Sequence, residues 1–403
     1  MPWWPFAPVR LAVALWALLA APAGATTIWW QAEGAWDDPA HWQYTDGSSG
    51  VPQPDEDVYI TSHGHADGRP PHVPGTAELS TSARVHGIYV GGWYKSLDAL
   101  FGPPTGHEGR LTLLEGADLF DDSYLRVGVR GARGEVTQLG GQNGPTLITL
   151  GWLSSDSEGV YRLEGGHLLA KISVGSTGRG RLEARGGLMR GDTFVGHGYG
   201  SQSPSGFLPG VGVADFAGDV EYVTGNLWVG LAAGSAGIVT IRENAKLFLS
   251  GITVGAGSTG AVVQTGGTVT AIRILVHGTY TLAGPSWLGQ GSADRDGELR
   301  IAVDGELVVI GPEPTALVMR LEHEGLLTFR LQNGAVAPLT VRSARFGKWA
   351  RIRVIEDGEP AAPGTQVLLV AAREGIEGRP SLEQGDGWGL QLLDENTLVA
   401  RKH

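Results

Sequence analysis

Two carboxylates placed across a sugar linkage can act as acid and base in glycoside hydrolysis. The chain offers Asp121-Asp122, Gly196-His197-Gly198 and Arg273 as parts of such a site, which makes Asp121, Asp122 and His197 its catalytic candidates. Asp122 and His197 are 197 − 122 = 75 residues apart. That is about three of the repeats described below, or roughly 15 Å at the ~4.8 Å spacing of neighbouring strands. Shared catalysis does not reach that far, so no catalytic residue is expected.

Calcium-assisted elimination needs a cluster of acids around the ion and an Arg or Lys base. Glu183 and Glu221, with Arg162 and Arg185 close in register, supply the residue types. The mixed signs read instead as a solvated ladder of compensating charges. His63-x-His65 places two rings on one strand face, a metal-ligand spacing, with Asp67 and His72 nearby. The surrounding stretch is rich in Gly and Pro and reads as a loop. No metal and no cofactor are expected, Ca²⁺ entering only if the chain is a lyase.

Aromatic rings offer a further chemistry, because ligand sites are lined largely by apolar and aromatic side chains. Trp36, Trp42, Trp93, Tyr94, Trp152, Tyr199 and Trp228 are candidates. Trp29, Trp30, Trp36 and Trp42 are expected to plug the start of the fold, whereas Trp93, Tyr94 and Tyr199 fall in inserted loops and are the expected ligand contacts.

The elements that position these residues are written in a repeat. A Gly, an alternating apolar run and a second Gly (once Asn244) at the seventh following position recur from Gly109, Gly134, Gly159, Gly180, Gly218, Gly237 and Gly260. Leu111, Val136, Tyr161, Leu182, Val220, Val239 and Val262 take the inward position, and Thr112, Thr137, Arg162, Glu183, Glu221, Thr240 and Val263 the outward one. The second Gly suits a bend with positive φ, which Asn tolerates next best. An apolar residue followed by Gly closes each copy; Gly128, Gly151, Gly175, Gly196, Gly230, Gly255 and Gly278 stand 23, 24, 21, 34, 25 and 23 residues apart. Three short strands and three turns need about that length. The expected fold is all-β, a single-stranded right-handed parallel β-helix with an N-terminal cap and a C-terminal β cap. With 64 Gly and 22 Pro and no helical period, helices are not expected.

Arg10, the apolar run Leu11 to Ala21 and Ala23-Gly24-Ala25 read as a secretory signal cleaved after about Ala25. The absence of Cys removes disulfides, thiolate metal sites and a lipoprotein anchor. A net charge of −12 disfavours nucleic acid and anionic membranes as partners, and no membrane insertion of the mature chain is expected. The assigned regions are 1–25 signal peptide, 26–80 Trp-rich cap and first coils, 81–297 β-helix repeats, and 298–403 further coils or a capping sheet.

Gly34-x-Trp36 with Trp42, followed by Val51-Pro52-x-x-Asp55 and Val58-Tyr-Ile60, resembles the opening of autotransporter-type passenger domains and related exported bacterial β-helical repeat proteins, which share the pectate-lyase-like fold. Thr365-Gln-Val-Leu-Leu-Val-Ala371, Gly387-Trp388 and Asn396-Thr-Leu-Val399 look similar to the ends of such chains. The resemblance covers most of the mature chain. It implies a secreted protein of a Gram-negative-type bacterium, extracellular, at the cell surface or in the periplasm. It departs from the autotransporter pattern in having no room for a membrane barrel after the repeats. The expected function is non-catalytic: structural, adhesive or glycan-binding, with an extracellular or cell-surface polysaccharide as partner. The alternative is a carbohydrate-active lyase or hydrolase. Oligomeric state stays open.

Overall fold

A computed structural model describes residues 27–29, 34–44, 48–62, 74–93, 106–198, 209–290, 298–384 and 387–403. The protein is all-β: among the described residues, the only helical element is the single 3-10 turn Pro39–His41. Its strands form two long sheets, one of 14 strands and one of 23. All pairings of the 14-stranded sheet are parallel, and successive strands keep strict register, Gly109, Gly134, Gly159, Gly180, Gly212, Gly237 and Gly260 standing side by side.

The larger sheet holds two parallel ladders. Strand Asp118–Val129 pairs through Asp118 and Leu119 with Gln142–Asn143, and through Tyr124 to Val129 with Leu147–Trp152. Strand Lys246–Val254 likewise bridges Glu221–Val223 and Asn226–Val229. Each repeat therefore contributes one strand to the 14-stranded ladder and one to each of these two, in the same order. Glu158–Leu163, His167–Leu169 and Lys171–Val174 are followed by Arg179–Ala184, which lies directly beside Glu158–Leu163.

Alternation decides what each ladder buries. Leu111, Tyr161, Leu182 and Val239 from the first ladder, Leu119, Leu168 and Tyr222 from the second, and Val127, Leu150, Val174 and Val195 from the third form one buried core. Polar residues enter it too. Gln138 and Gln264 occupy inward strand positions with no exposure, and each accepts a hydrogen bond from the Tyr of the next strand, Tyr161 at 2.7 Å and Tyr280 at 2.9 Å. Their amides donate to backbone carbonyls, Gln138 to His167 and Gln264 to Trp287, so burial leaves neither donor unpaired.

The glycine spacing carries two distinct physical reasons. Gly128, Gly151, Gly175, Gly196 and Gly230 all turn at φ between 66 and 69°. A Cβ on any of them would also collide with backbone of the adjoining first-ladder strand. Gly116, by contrast, needs only its φ of 81°, since nothing lies within 4 Å of a Cβ there.

One expected copy is misplaced. The strand equivalent to Arg179–Ala184 is Val211–Phe216, so the repeat begins at Gly212 rather than Gly218, Ala214 takes the inward place given to Val220, and Asp215 the outward place given to Glu221. Ala214 is a small inward residue that weakens the apolar alternation at this repeat. The bend also shifts. In the repeat that begins at Gly212 the left-handed residue is Gly218, and in the next it is Glu243, one position before Asn244, so neither Gly225 nor Asn244 makes the expected positive-φ bend.

Beyond residue 298 the same pairings continue through Glu306–Ile310, Leu326–Gln332, Arg351–Asp357 and Ser381–Gln384. Among the described strands, antiparallel ladders lie at the ends, where Thr27–Trp29 meets Trp42–Tyr44, and where Thr397–Lys402 lies between Gln366–Ala372 and Trp388–Asp394. Trp36 and Trp42 are buried at the N-terminal end, edge to face at 5.0 Å.

Candidate functional site

The third ladder presents an outward row fixed by register. Immediately before each apolar-Gly pair stand Tyr89, Arg126, Thr149, Ser173, Phe194 and Trp228, paired strand to strand in that order, with Tyr59 preceding Tyr89. Stacked strands repeat at about 4.8 Å, so the row is a continuous strip. Aromatic groups hold its two ends and small hydroxyls its middle.

At one end Tyr59 and Tyr89 stack at 4.6 Å and 6°. Together with Trp93 and Val129 they form a second apolar cluster outside the main core, against which Tyr124 and Trp152 pack. The Arg126 guanidinium lies between the rings of Tyr124 and Trp152, its carbon 3.9 Å from each centroid, and donates to the Tyr89 hydroxyl at 2.8 Å. Tyr89 donates to Tyr124, and Tyr124 to the Asp57 carboxylate at 2.9 Å, which also meets His86 Nδ1. Gly87 makes this geometry possible, since a Cβ there would come within 2.5 Å of the Tyr124 ring. Burial, more than any neighbour, pushes the phenols of Tyr59, Tyr89 and Tyr124 upward, so they act as neutral donors.

At the other end Phe194 stacks on Trp228 at 4.4 Å and 8°, and on His197 at 5.0 Å. Lys171 Nζ sits 4.9 Å from the Phe194 centroid. Between the two ends is a cleft of about 260 Å³ lined by Arg126, Leu147, Thr149, Trp152, Lys171, Ser173, Ser176, Phe194 and His197. Ser173 is 7% exposed and its Oγ has no partner, nor has the buried Nδ1 of His197. Burial chiefly, with some help from the Lys171 charge, lowers the His197 pKa, so the imidazole is neutral at neutral pH.

Chemically the cleft can stack a flat apolar face on Trp152 and Phe194 while hydroxyls and cations address polar groups. Among the described residues no carboxylate lines it.

The expected residues are scattered. Asp121 falls beside Val85, within the strand that crosses from the second ladder to the third, and the side chains of Asp121 and Asp122 lie outside the described residues. His197 follows Thr193–Val195, three strands further along the third ladder from Asp118–Val129. Arg273 is exposed beside Glu298 at 3.4 Å. Glu183 and Glu221 belong to different ladders, the first held by Arg162 and Arg181, the second by Lys246. Among the described residues no group of three His, Asp or Glu side chains could hold a metal ion. His63, His65, Asp67, His72, Tyr94 and Tyr199 lie outside the described residues. Trp93 is 3% exposed and clusters with Tyr59, Tyr89 and Val129.

Trp152 and Trp228 were among the aromatic candidates. Arg126, Lys171, Phe194 and the hydroxyl residues were not. The signal was present in the residue preceding each apolar-Gly pair, because strand period two turns that residue outward in every repeat.

Set against models of known protein families, curated proteins and solved structures, the chain matches none.

Proposed function

We propose that the chain is an exported β-solenoid, a right-handed parallel β-helix closed at both ends by caps, which binds a glycan along its third ladder and does no chemistry on it. Three ladders visited in fixed order, with the core between them, support the solenoid. Right-handed crossover is the near-universal hand of parallel connections. The antiparallel strands at each end are the proposed caps, covering edges that would otherwise template further pairing. Export follows the expected signal at 1–25, and a surface or extracellular role follows export.

The observation that carries the glycan reading is the strip Arg126, Thr149, Ser173, Phe194, Trp228, with Trp152 folded over the cleft. Flat rings separated by the hydroxyls of Thr149 and Ser173, the latter unpartnered, match the alternating apolar faces and hydroxyl edges of sugar rings. Hydrolysis ordinarily needs two carboxylates, and the described lining offers rings, hydroxyls and cations.

The experiment is affinity electrophoresis of the chain from residue 26 onward in gels containing neutral and acidic polysaccharides, alongside Trp152→Ala and Phe194→Ala. Retardation by at least one polysaccharide, lost in both variants while the circular dichroism spectrum is kept, is the expected result. Reducing ends or unsaturated products released from the same polysaccharides would overturn the non-catalytic part.

A further inference from the structure

Resting on that glycan reading, we infer that the cleft selects acidic saccharides, holding the anionic substituent of a sugar ring between Arg126 and Lys171 while Trp152 and Phe194 take the ring. The chain as a whole is acidic, with 42 Asp and Glu against 30 Lys and Arg. Several outward cations of the first ladder are matched: Arg162 by Glu135 and Glu183, Arg242 by Asp215, Arg330 by Asp357. Arg126 and Lys171 line one cleft, and neither forms an ion pair with a carboxylate among the described residues. The two cations share one cleft from strands two apart, and an anion held there would supply the counter-charge that neither has.

The geometry favours an anion with two or more oxygens. With its carbon 3.9 Å from two ring centroids and Nη1 given to Tyr89, the Arg126 guanidinium has its remaining N–H groups to offer the oxygens of a carboxylate or sulfate. The Ser173 hydroxyl, buried and unpartnered between them, supplies a third donor on the same strip. A neutral sugar would leave both cations without a counter-charge in a partly enclosed site.

The test titrates the chain with polygalacturonate, its fully methyl-esterified form, κ-carrageenan, dextran and polyglutamate. The first two differ only in charge, carrageenan separates sulfate from carboxylate, and polyglutamate carries charge without a sugar. Polygalacturonate or carrageenan should bind at least ten times more tightly than methyl ester or dextran, weaken as salt rises, and lose about tenfold in Lys171→Gln. Lys171 is exposed, so this variant is not expected to disturb the fold. Methyl ester or dextran binding as tightly as the acid, with Lys171→Gln silent, would overturn the charge selection and leave the glycan reading standing. Polyglutamate binding as tightly as the glycans would overturn it too, as would equal binding of all five. If no polysaccharide binds, the glycan reading itself falls.

Discussion

At the scale of single residues, the protein places polar groups where burial makes their pairing decisive. Tyr161 donates to Gln138 and accepts from Asn143 Nδ2 at 2.7 Å, all three residues having no exposure. Tyr161→Phe strips both neighbours of a partner and should cost about 1–3 kcal/mol, read as a lower urea midpoint with an unchanged slope. His323 makes a different point. It has no exposure, its Nε2 meets the Arg351 carbonyl at 3.0 Å, and burial lowers its pKa to about 4. The folded state therefore holds it neutral, whereas the unfolded chain protonates it near the ordinary 6.5. Its contribution to stability is whole above pH 6.5 and is lost as pH falls from there towards 4, to a total of about 3 kcal/mol. His323→Gln, which keeps a donor for the carbonyl, should flatten the stability profile across that window. Chemical denaturation from pH 7.5 to 4 measures it, and parallel profiles for the two proteins would contradict the assignment.

At the scale of the element, the repeated glycines divide into those demanded by φ and those demanded by space as well. Gly116→Ala meets nothing and should cost only the left-handed conformation, about 1–2 kcal/mol. Gly151→Ala has the same φ problem and drives its methyl into the Arg179 backbone, so its loss should be clearly larger, by 2 kcal/mol or more on the scale of overpacked cores. Equal melting temperatures for the pair would refute the distinction. Glu183, held by Arg162 and Arg181 on the outer face of the first ladder, is only 7% exposed, so Glu183→Gln leaves two guanidiniums short of a counter-charge and should cost more than the ~1 kcal/mol of an exposed pair, read as a lower urea midpoint. The glycine rows, the core alternation and the parallel sheets were legible in the sequence because each rests on local geometry repeated many times. The register at Gly212 was hidden by Ala214, too small to sustain the apolar signal. The Arg126 and Lys171 cleft was hidden because its members are 171 − 126 = 45 residues apart and differ in type from strand to strand, so nothing repeats.

At the scale of the whole molecule, parallel ladders in register make the chain nearly modular, since each strand pairs mainly with its equivalents one repeat away. In such arrays stability approximates a sum of unit and neighbour terms. Val229 and Val254 are register partners, so removing Gly230 through Val254, 254 − 230 + 1 = 25 residues, brings Val229 onto Gly255 and keeps all three ladders in phase. The strand Asn226–Val229 then faces the Arg273 to Val276 part of Thr268–Val276, which now pairs with Gly251 to Val254. Thr259–Gln264 likewise falls beside Val211–Phe216, with Val262 against Ala214 in the core. The deleted span contains none of the residues lining the cleft. The shortened chain should therefore fold with a β-type circular dichroism spectrum, bind the same glycan as the parent, and unfold at lower urea because one set of interfaces is missing. A deletion of Gly230 through Ile241 alone breaks the phase of two ladders and should give no cooperative transition. If the 25-residue deletion fails as completely as the 12-residue one, the units are not interchangeable and the solenoid description is wrong. Success with loss of binding would instead show that the cleft draws on strands beyond Trp228, and would move the edge of the glycan site along the row towards Thr253 and Leu275.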